Sequence, residues 1–182
     1  MATIKRKGYG QLELTQVAFR RDGRIEAQLP FAGEAGDTCE NGMILAVDKA
    51  GGKVEYAGTT IAGKLYGIVY TSEELYDTRT PGLKNFALTV DADGKVRGPE
   101  GYDVCPRIGF LAKGDRFITN AIAGADATAG VTVEVGNFGG AGADGFIAIT
   151  TSAATAGPVL QVAEITTMPD GQDAVKFIVI DD

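Results

Sequence analysis

Residues able to do acid–base chemistry are unevenly represented in this chain of 182 residues. It contains 24 aspartates and glutamates, two cysteines and no histidine. Without histidine, neither a Ser-His-Asp triad nor a histidine-ligated metal site can be built. A pair of carboxylates, as in glycosidases, remains conceivable. Sugar clefts are normally lined by aromatics, however, and here six tyrosines and eight phenylalanines are spread thinly, without tryptophan. We therefore expect no enzyme and no catalytic residues.

The sequence also gives little indication of a metal or nucleotide site. Cys39 and Cys105 are too few for a four-thiolate zinc site, and a single disulfide between them is left open, since isolated cysteines are usually buried thiols. The stretch Asp91-Ala92-Asp93-Gly94 begins like a calcium loop, but its glycine follows the second acid directly and no helices flank it. It predicts a hairpin turn. No phosphate-binding glycine loop is present, so we expect no cofactor and no metal.

Charge divides the chain into two parts. Residues 1–24, here called the basic leader, contain six basic and two acidic side chains, whereas the remainder contains 11 basic and 22 acidic ones. The chain as a whole has a net charge of −7. An acidic body is unsuited to nucleic acid, which requires a positive face. No apolar run approaches the 18 or more residues of a membrane span, and no signal peptide is evident.

Short apolar runs separated by turn dipeptides predict a mainly β fold. Gly accounts for 26 residues, about 14% and roughly twice the usual share. The expected strands lie near residues 43–47, 65–70, 131–135, 146–149, 159–163 and 175–180. The expected turns are Asn41-Gly42, Gly51-Gly52, Asp93-Gly94, Gly139-Gly140, Asp144-Gly145 and Asp170-Gly171. Small-residue surface loops are expected at 123–130, 139–145 and 151–157.

These elements favour small antiparallel β-barrel or sandwich modules joined by Gly-rich hairpins, after an extended N-terminal arm. The arm is residues 1–24, a first module with a connecting insertion is residues 25–102, and a second module is residues 103–182. One continuous barrel or sandwich is the alternative. Only residues 72–76 indicate a turn of helix, with Ser72 as its N-cap.

The basic leader contains the candidate binding residues. An extended segment can add a strand to a partner's sheet, and Leu12, Leu14 and Val17 could form such an edge strand. Residues 20–24 are expected to form a cationic hairpin tip, and arginines pair with acidic groups in bidentate geometry. A solvated, frayed terminus is the alternative. The candidate partner-binding residues are Lys5, Arg6, Lys7, Tyr9, Arg20, Arg21 and Arg24.

Three stretches, residues 36–48, 108–117 and 162–172, resemble those of tailed-bacteriophage capsid decoration (cement) proteins. The first stretch begins with Gly36-Asp37 and continues into an apolar strand within 43–48. Decoration proteins often have a similar unit of a glycine, a strand, an aspartate and a glycine turn. The family has no catalytic residues. The resemblance implies β-rich modules, often trimeric, that bind the outer surface of the virion capsid and bridge neighbouring subunits of the major capsid protein. It also implies an N-terminal arm that becomes ordered on the capsid, and synthesis in the host cytoplasm.

Two other classes remain open from the sequence. One is another phage structural component, such as a tail, baseplate or head-fibre base subunit. The other is a carbohydrate- or ligand-binding β-module, or an enzyme with a carboxylate pair.

Overall fold

A computed structural model describes residues 1–58, 65–71, 87–97, 101, 103–154 and 157–182. Its regular elements are almost all strands, which confirms the mainly β prediction. The predicted helical turn at 72–76 lies outside the described residues. In chain order the elements are β1 (Ala2–Ile4), β2 (Leu12–Gln16), α1 (Phe19–Asp22), β3 (Ile25–Glu26), β4 (Thr38–Glu40), β5 (Ile44–Asp48), β6 (Lys53–Tyr56), β7 (Leu65–Val69), β8 (Ala87–Val90), β9 (Val96–Arg97), β10 (Ile108–Gly109), β11 (Arg116–Thr119), β12 (Val131–Val133), β13 (Phe138–Ala141), β14 (Ile147–Thr150), β15 (Val159–Thr167) and β16 (Asp173–Asp181).

Over the described ranges the strands form four sheets, and each pair of neighbouring strands is antiparallel. The largest sheet has the order β14-β13-β15-β16-β11-β2, and a five-stranded sheet has the order β3-β10-β7-β5-β6. Smaller sheets pair β4-β8-β9 and β1-β12. None of these sheets closes on itself within the part of the chain that the structure describes, so a barrel is not the architecture seen there.

Four of the six predicted turn dipeptides join strands that pair with each other. Gly51-Gly52 connects β5 to β6, Asp93-Gly94 connects β8 to β9, Asp144-Gly145 connects β13 to β14, and Asp170-Gly171 connects β15 to β16. The second residue of each dipeptide is a glycine with a positive φ, between 66° and 84°. These turns require the left-handed backbone that glycine adopts most easily.

The prediction of a turn at Gly139-Gly140 is wrong, because both glycines lie inside β13. A Cβ built on Gly139 would come within 3.3 Å of the side chains of Ile147, Phe177 and Leu160. The glycine is therefore there to let neighbouring side chains pack against the backbone, not to turn the chain. Asn41-Gly42 does form a turn, but it connects β4 and β5, which belong to different sheets.

The basic leader is not an extended arm, and this part of the prediction is wrong. Its strand β1 pairs with β12, and its strand β2 pairs with β11 at the edge of the six-stranded sheet. Its apolar side chains Ile4, Leu12 and Phe19 are at most 7% exposed. Burial of these side chains removes them from water at a gain of about 1.5–3 kcal/mol each, which a solvated arm would forgo.

Strand pairing also crosses the expected module boundary at residue 102. The strand β3 pairs with β10, and β10 pairs in turn with β7. The core consists of two clusters of buried side chains. One combines leader residues with Phe117, Phe177 and others of the six-stranded sheet, and also includes Ile44 from the five-stranded sheet. The second lies among residues 31–108.

Residues 20–24, expected to form a hairpin tip, instead form the helical turn α1 and its C-cap. Gly23 ends the turn in the left-handed conformation, with φ 69°, and the N–H of Arg24 donates to the carbonyl of Phe19 at 3.1 Å. The cause is Phe19, which is fully buried and stacks obliquely on Tyr70 with ring centroids 5.1 Å apart. This aromatic contact holds the turn against the core.

Shortening Phe19 to alanine tests whether the basic leader is part of the core. We expect Phe19→Ala to lower the free energy of unfolding by about 3–5 kcal/mol, because it leaves a cavity under α1. The matched control is Arg21→Ala in the same turn. Its side chain is 81% exposed, so we expect a change within about 0.5 kcal/mol. Urea unfolding measures both. Equal, small effects would show that the leader does not contribute to folding.

Tyr56 joins the five-stranded sheet to β4, since its hydroxyl donates to the carbonyl of Thr38 at 2.7 Å. Burial, with the charge of Asp37, raises the pKa of Tyr56 to about 12 from 10.0. Because the pKa is raised in the folded state, the contribution of Tyr56 to stability is fully present below pH 10 and is lost as the pH rises toward 12. We expect Tyr56→Phe to reduce this alkaline loss, measured as unfolding midpoints between those two pH values. Tyr9→Phe, at an exposed position, is the control.

Candidate functional site

The candidate residues at the start of the leader lie beside the β15–β16 hairpin. The backbone N–H of Lys5 donates to the carboxylate of Asp173 at 3.2 Å, and that of Lys7 donates to the side-chain oxygen of Gln172 at 2.7 Å. Both lysines are exposed, and Tyr9 is 42% exposed. Their backbone is thus held in place while their side chains face solvent.

Arg6 differs from its two neighbours because its side chain turns inward. Its guanidinium pairs with Glu40, donates to the carbonyl of Ala125 at 3.2 Å and lies over the ring of Phe146, 4.3 Å from the centroid. The side chains of Arg6 and Glu40 are only 14% and 6% exposed. Arg6 is therefore engaged inside the protein and is not presented to a partner.

Glu40 connects this ion pair to the backbone of the leader. Its carboxylate also accepts from the N–H of Gly10 and from the hydroxyl of Thr38, the latter at 3.0 Å. A buried charge with several donors is tolerated, whereas one left without its partner is costly. The pair and its hydrogen bonds therefore tie residues 6–10 to β4.

The three remaining candidates, Arg20, Arg21 and Arg24, lie on α1 or just after it. Arg20 is exposed, Arg24 is half-buried, and Arg21 is exposed beside Asp22, with which it pairs at 2.9 Å. The sequence predicted these arginines as a group, and the structure keeps them on one turn and its continuation. It does not place Arg6 on that surface, because Arg6 faces the interior.

Two residues of the second half of the chain position α1. The carboxylate of Asp115, which is only 5% exposed, accepts from the N–H groups of Ala18 and Ala112, at 2.8 and 2.9 Å. Gly109 lies directly under Phe19, and a Cβ built there would come within 2.4 Å of the Phe19 ring. Asp115 and Gly109 thus determine where the arginines of α1 are held.

A cavity of about 360 Å³ opens beside α1. Its lining includes the side chains of Arg20, Arg107 and Tyr70 together with apolar residues of β2 and β3. Arg107 is held next to Tyr70, since its N–H donates to the hydroxyl of Thr71 at 2.9 Å and its carbonyl accepts from the N–H of Tyr70 at 2.9 Å. The exposed Arg107 therefore lies across the cavity lining from Arg20 of α1. We call these two residues, together with Arg21 and Arg24 that follow Arg20 in the chain, the cationic face.

Sequence reasoning missed Arg107 and Tyr70. Arg107 stands alone between Pro106 and Ile108, with no basic neighbour to distinguish it. Its closeness to Arg20 arises from the pairing of β10 with β3, in which Gly109 faces Ile25. A pattern along the sequence cannot reveal a pairing between strands so far apart.

The motif at Asp91 is a hairpin turn, as predicted. The carboxylate of Asp91 accepts from the N–H groups of Asp93 and Lys95, each at 2.9 Å, and from the guanidinium of Arg97 at 2.8 Å. The Lys95 N–H, with Arg97, holds the pKa of Asp91 below its usual value. The described residues include no group of three or more His, Cys, Asp or Glu placed to hold a metal ion.

The two cysteines are not joined. Cys39 is a buried free thiol in β4, and Cys105 is a half-buried one. Burial raises the pKa of both thiols, with a further contribution from the charge of Glu40 at Cys39 and of Glu26 at Cys105. The disulfide left open by the sequence is therefore absent, and the raised pKa values favour the thiol over the thiolate at both positions.

Comparison with known proteins gives no match: no protein-family model, curated protein or solved structure is significantly similar to the chain. Over the ranges that the structure describes, no helix has the length and apolar character needed to cross a membrane.

Removing Arg6 tests its structural role. We expect Arg6→Ala to lower the free energy of unfolding by about 3–5 kcal/mol, because Glu40 would remain buried without its cation. Lys7→Ala, which removes a neighbouring exposed cation, should change it by less than about 0.5 kcal/mol. Denaturant titrations measure the free energy of unfolding of the two variants. Similar values for both would mean that the Arg6–Glu40 pair adds little to stability.

Proposed function

We propose that this chain is a structural component of a bacteriophage particle that binds the outer surface of the capsid and bridges subunits of the major capsid protein. The observation that favours it is the cationic face. Arg20 and Arg107 line one cavity, and Arg21 and Arg24 lie on α1 or just after it, in a chain whose net charge is −7. Such a separation of charge suits a protein that docks on an acidic surface through one side only.

The acidic remainder of the chain supports the proposal physically. A net charge away from zero keeps a protein soluble before assembly. A local positive patch then orients the encounter with an acidic partner, since complementary charges steer association and reject wrong orientations. Many copies on one shell give a high total affinity even when each contact is weak.

The cationic face is held rigidly by the residues beneath it, which also supports a binding role. Phe19 packs in the core, and Asp115 and Gly109 lie beneath the turn. A surface held in place before binding loses less conformational entropy on association. Because the basic leader already pairs with β11 and β12, the proposal now rests on this face and not on an arm that adds a strand to the capsid.

The identity of the partner comes from the resemblance to capsid decoration proteins at residues 36–48, 108–117 and 162–172. The same resemblance suggests a non-catalytic protein that assembles as a trimer on the virion.

Reversing one charge of the cationic face tests the proposal. We expect Arg21→Glu to weaken co-sedimentation with undecorated phage heads by about tenfold, because a like charge would face an acidic surface. Raising the salt concentration should likewise weaken the binding of the wild-type protein to heads. The control is Lys95→Glu, the same charge change at the β8–β9 turn, where the lysine side chain is 58% exposed.

Retained head binding by Arg21→Glu, or equal loss by both variants, would contradict the role of the cationic face. Failure of the wild-type protein to sediment with heads would contradict the capsid proposal itself. Electron microscopy of labelled particles gives the location directly, and label on tails alone would assign the chain to another part of the phage particle.

A further inference from the structure

The cavity beside α1 combines two cations with an apolar floor. Arg20 enters it from α1 and Arg107 from the residue before β10. Leu12, Leu14 and Ile25 line it as well. Apolar surface beside convergent polar groups is the usual form of a small-ligand site, and this lining combines three apolar residues with five polar or charged ones.

The two guanidiniums of this cavity differ from most others in the described chain. Those of Arg6 and Arg97 are paired with Glu40 and with Asp91, whereas Arg20 and Arg107 form no ion pair with any residue that the structure describes. The charges of both arginines affect the pKa of the same side chain, the phenol of Tyr70. Burial raises the pKa of Tyr70, while the charges of Arg107 and Arg20 oppose that rise. Two guanidiniums that form no ion pair with a described residue thus converge on Tyr70 at one wall of the cavity.

The lining also restricts the kind of anion. A planar carboxylate matches the paired donors of a guanidinium, and the leucines and Ile25 favour an apolar carbon body. Glu13 also lines the cavity, so the formal charges of Arg20, Arg107 and Glu13 sum to +1, which matches a ligand with a single negative charge. At about 360 Å³ the space lies near the lower end of ligand pockets, which suits a small molecule or a single side chain.

We propose that this cavity binds a monocarboxylate with an apolar body, held between Arg20 and Arg107 over Leu12, Leu14 and Ile25. The carboxylate has two sources with the same chemistry: a free small organic acid, or the C-terminus of a polypeptide that ends in an apolar residue. This proposal goes beyond capsid binding and does not depend on it.

The test is a titration of the full, isotopically labelled chain followed by amide resonances. Hexanoate is the probe, and hexanamide is its uncharged match. We expect hexanoate to shift resonances of β2, α1 and β3, and hexanamide to bind at least about tenfold more weakly. Inorganic phosphate, which lacks an apolar body, should also bind more weakly than hexanoate. Equal affinity for acid and amide, phosphate binding as tight as hexanoate, or shifts confined to other regions would overturn the proposal.

Matched variants connect the binding to the two arginines. Arg20→Gln combined with Arg107→Gln should abolish the hexanoate shifts, and Arg21→Gln on the same turn should retain them. Both mutated side chains lie at exposed positions, and the dispersion of the amide spectrum reports whether the fold is kept. Unchanged affinity in the double variant, or equal loss in Arg21→Gln, would overturn the assignment. If the double variant does not fold, the comparison of hexanoate with hexanamide on the wild-type chain still tests whether the cavity binds a carboxylate.

Peptides separate the two sources. A tripeptide ending in leucine with a free carboxylate is compared with the same peptide amidated and with hexanoate. Tighter binding of the free peptide than of hexanoate assigns the site to a polypeptide C-terminus, and the reverse order assigns it to a small acid. If neither peptide nor acid binds, the proposal fails. Phage heads are absent from this titration, so its failure and a failure of capsid binding are separate results.

Discussion

Burial of the apolar side chains of the first nineteen residues is the interaction on which the rest of the structure depends. Ile4, Leu12 and Phe19 enter the same cluster as Phe117 and Phe177, although the two groups are far apart in the sequence. Among the described residues, β2 pairs with no strand except β11, and α1 has the ring of Phe19 as its anchor. Apolar packing therefore places β2 and α1, and with them Arg20, Arg21 and Arg24, whereas Arg6 is also held by its ion pair with Glu40.

Burial also explains why residues of one type differ in role. Arg6 and Arg20 are both leader arginines, yet Arg6 is enclosed with Glu40 and Phe146, whereas Arg20 faces an open cavity. Inside the protein a guanidinium requires a partner, because an unpaired buried charge is expensive. At the surface, water solvates it at little cost, and it stays available for a ligand. Arg6 thus stabilises the fold, while Arg20 belongs to the surface that we propose for binding.

The turn chemistry was predictable wherever both strands of a hairpin were adjacent in sequence. Asp170-Gly171 shows this well: Gly171 has a φ of 84°, and its flanking strands β15 and β16 pair along their length. At Gly139-Gly140 the same residue type has another cause, since its missing side chain makes room for Phe177. Local sequence cannot separate these two uses of glycine, because the second depends on what lies across the sheet.

From the sequence alone the chain was determined to be mainly β, with its strands near the places where apolar runs occur and with a cationic leader before an acidic body. Those features follow from residue type and spacing, which act locally. Only the tertiary structure decided that the leader is part of the core, that Arg6 faces inward, and that Arg107 meets Arg20. The physical reason is that these outcomes depend on pairing between distant strands, such as β2 with β11 and β3 with β10, whose partners are selected by the burial of a shared core.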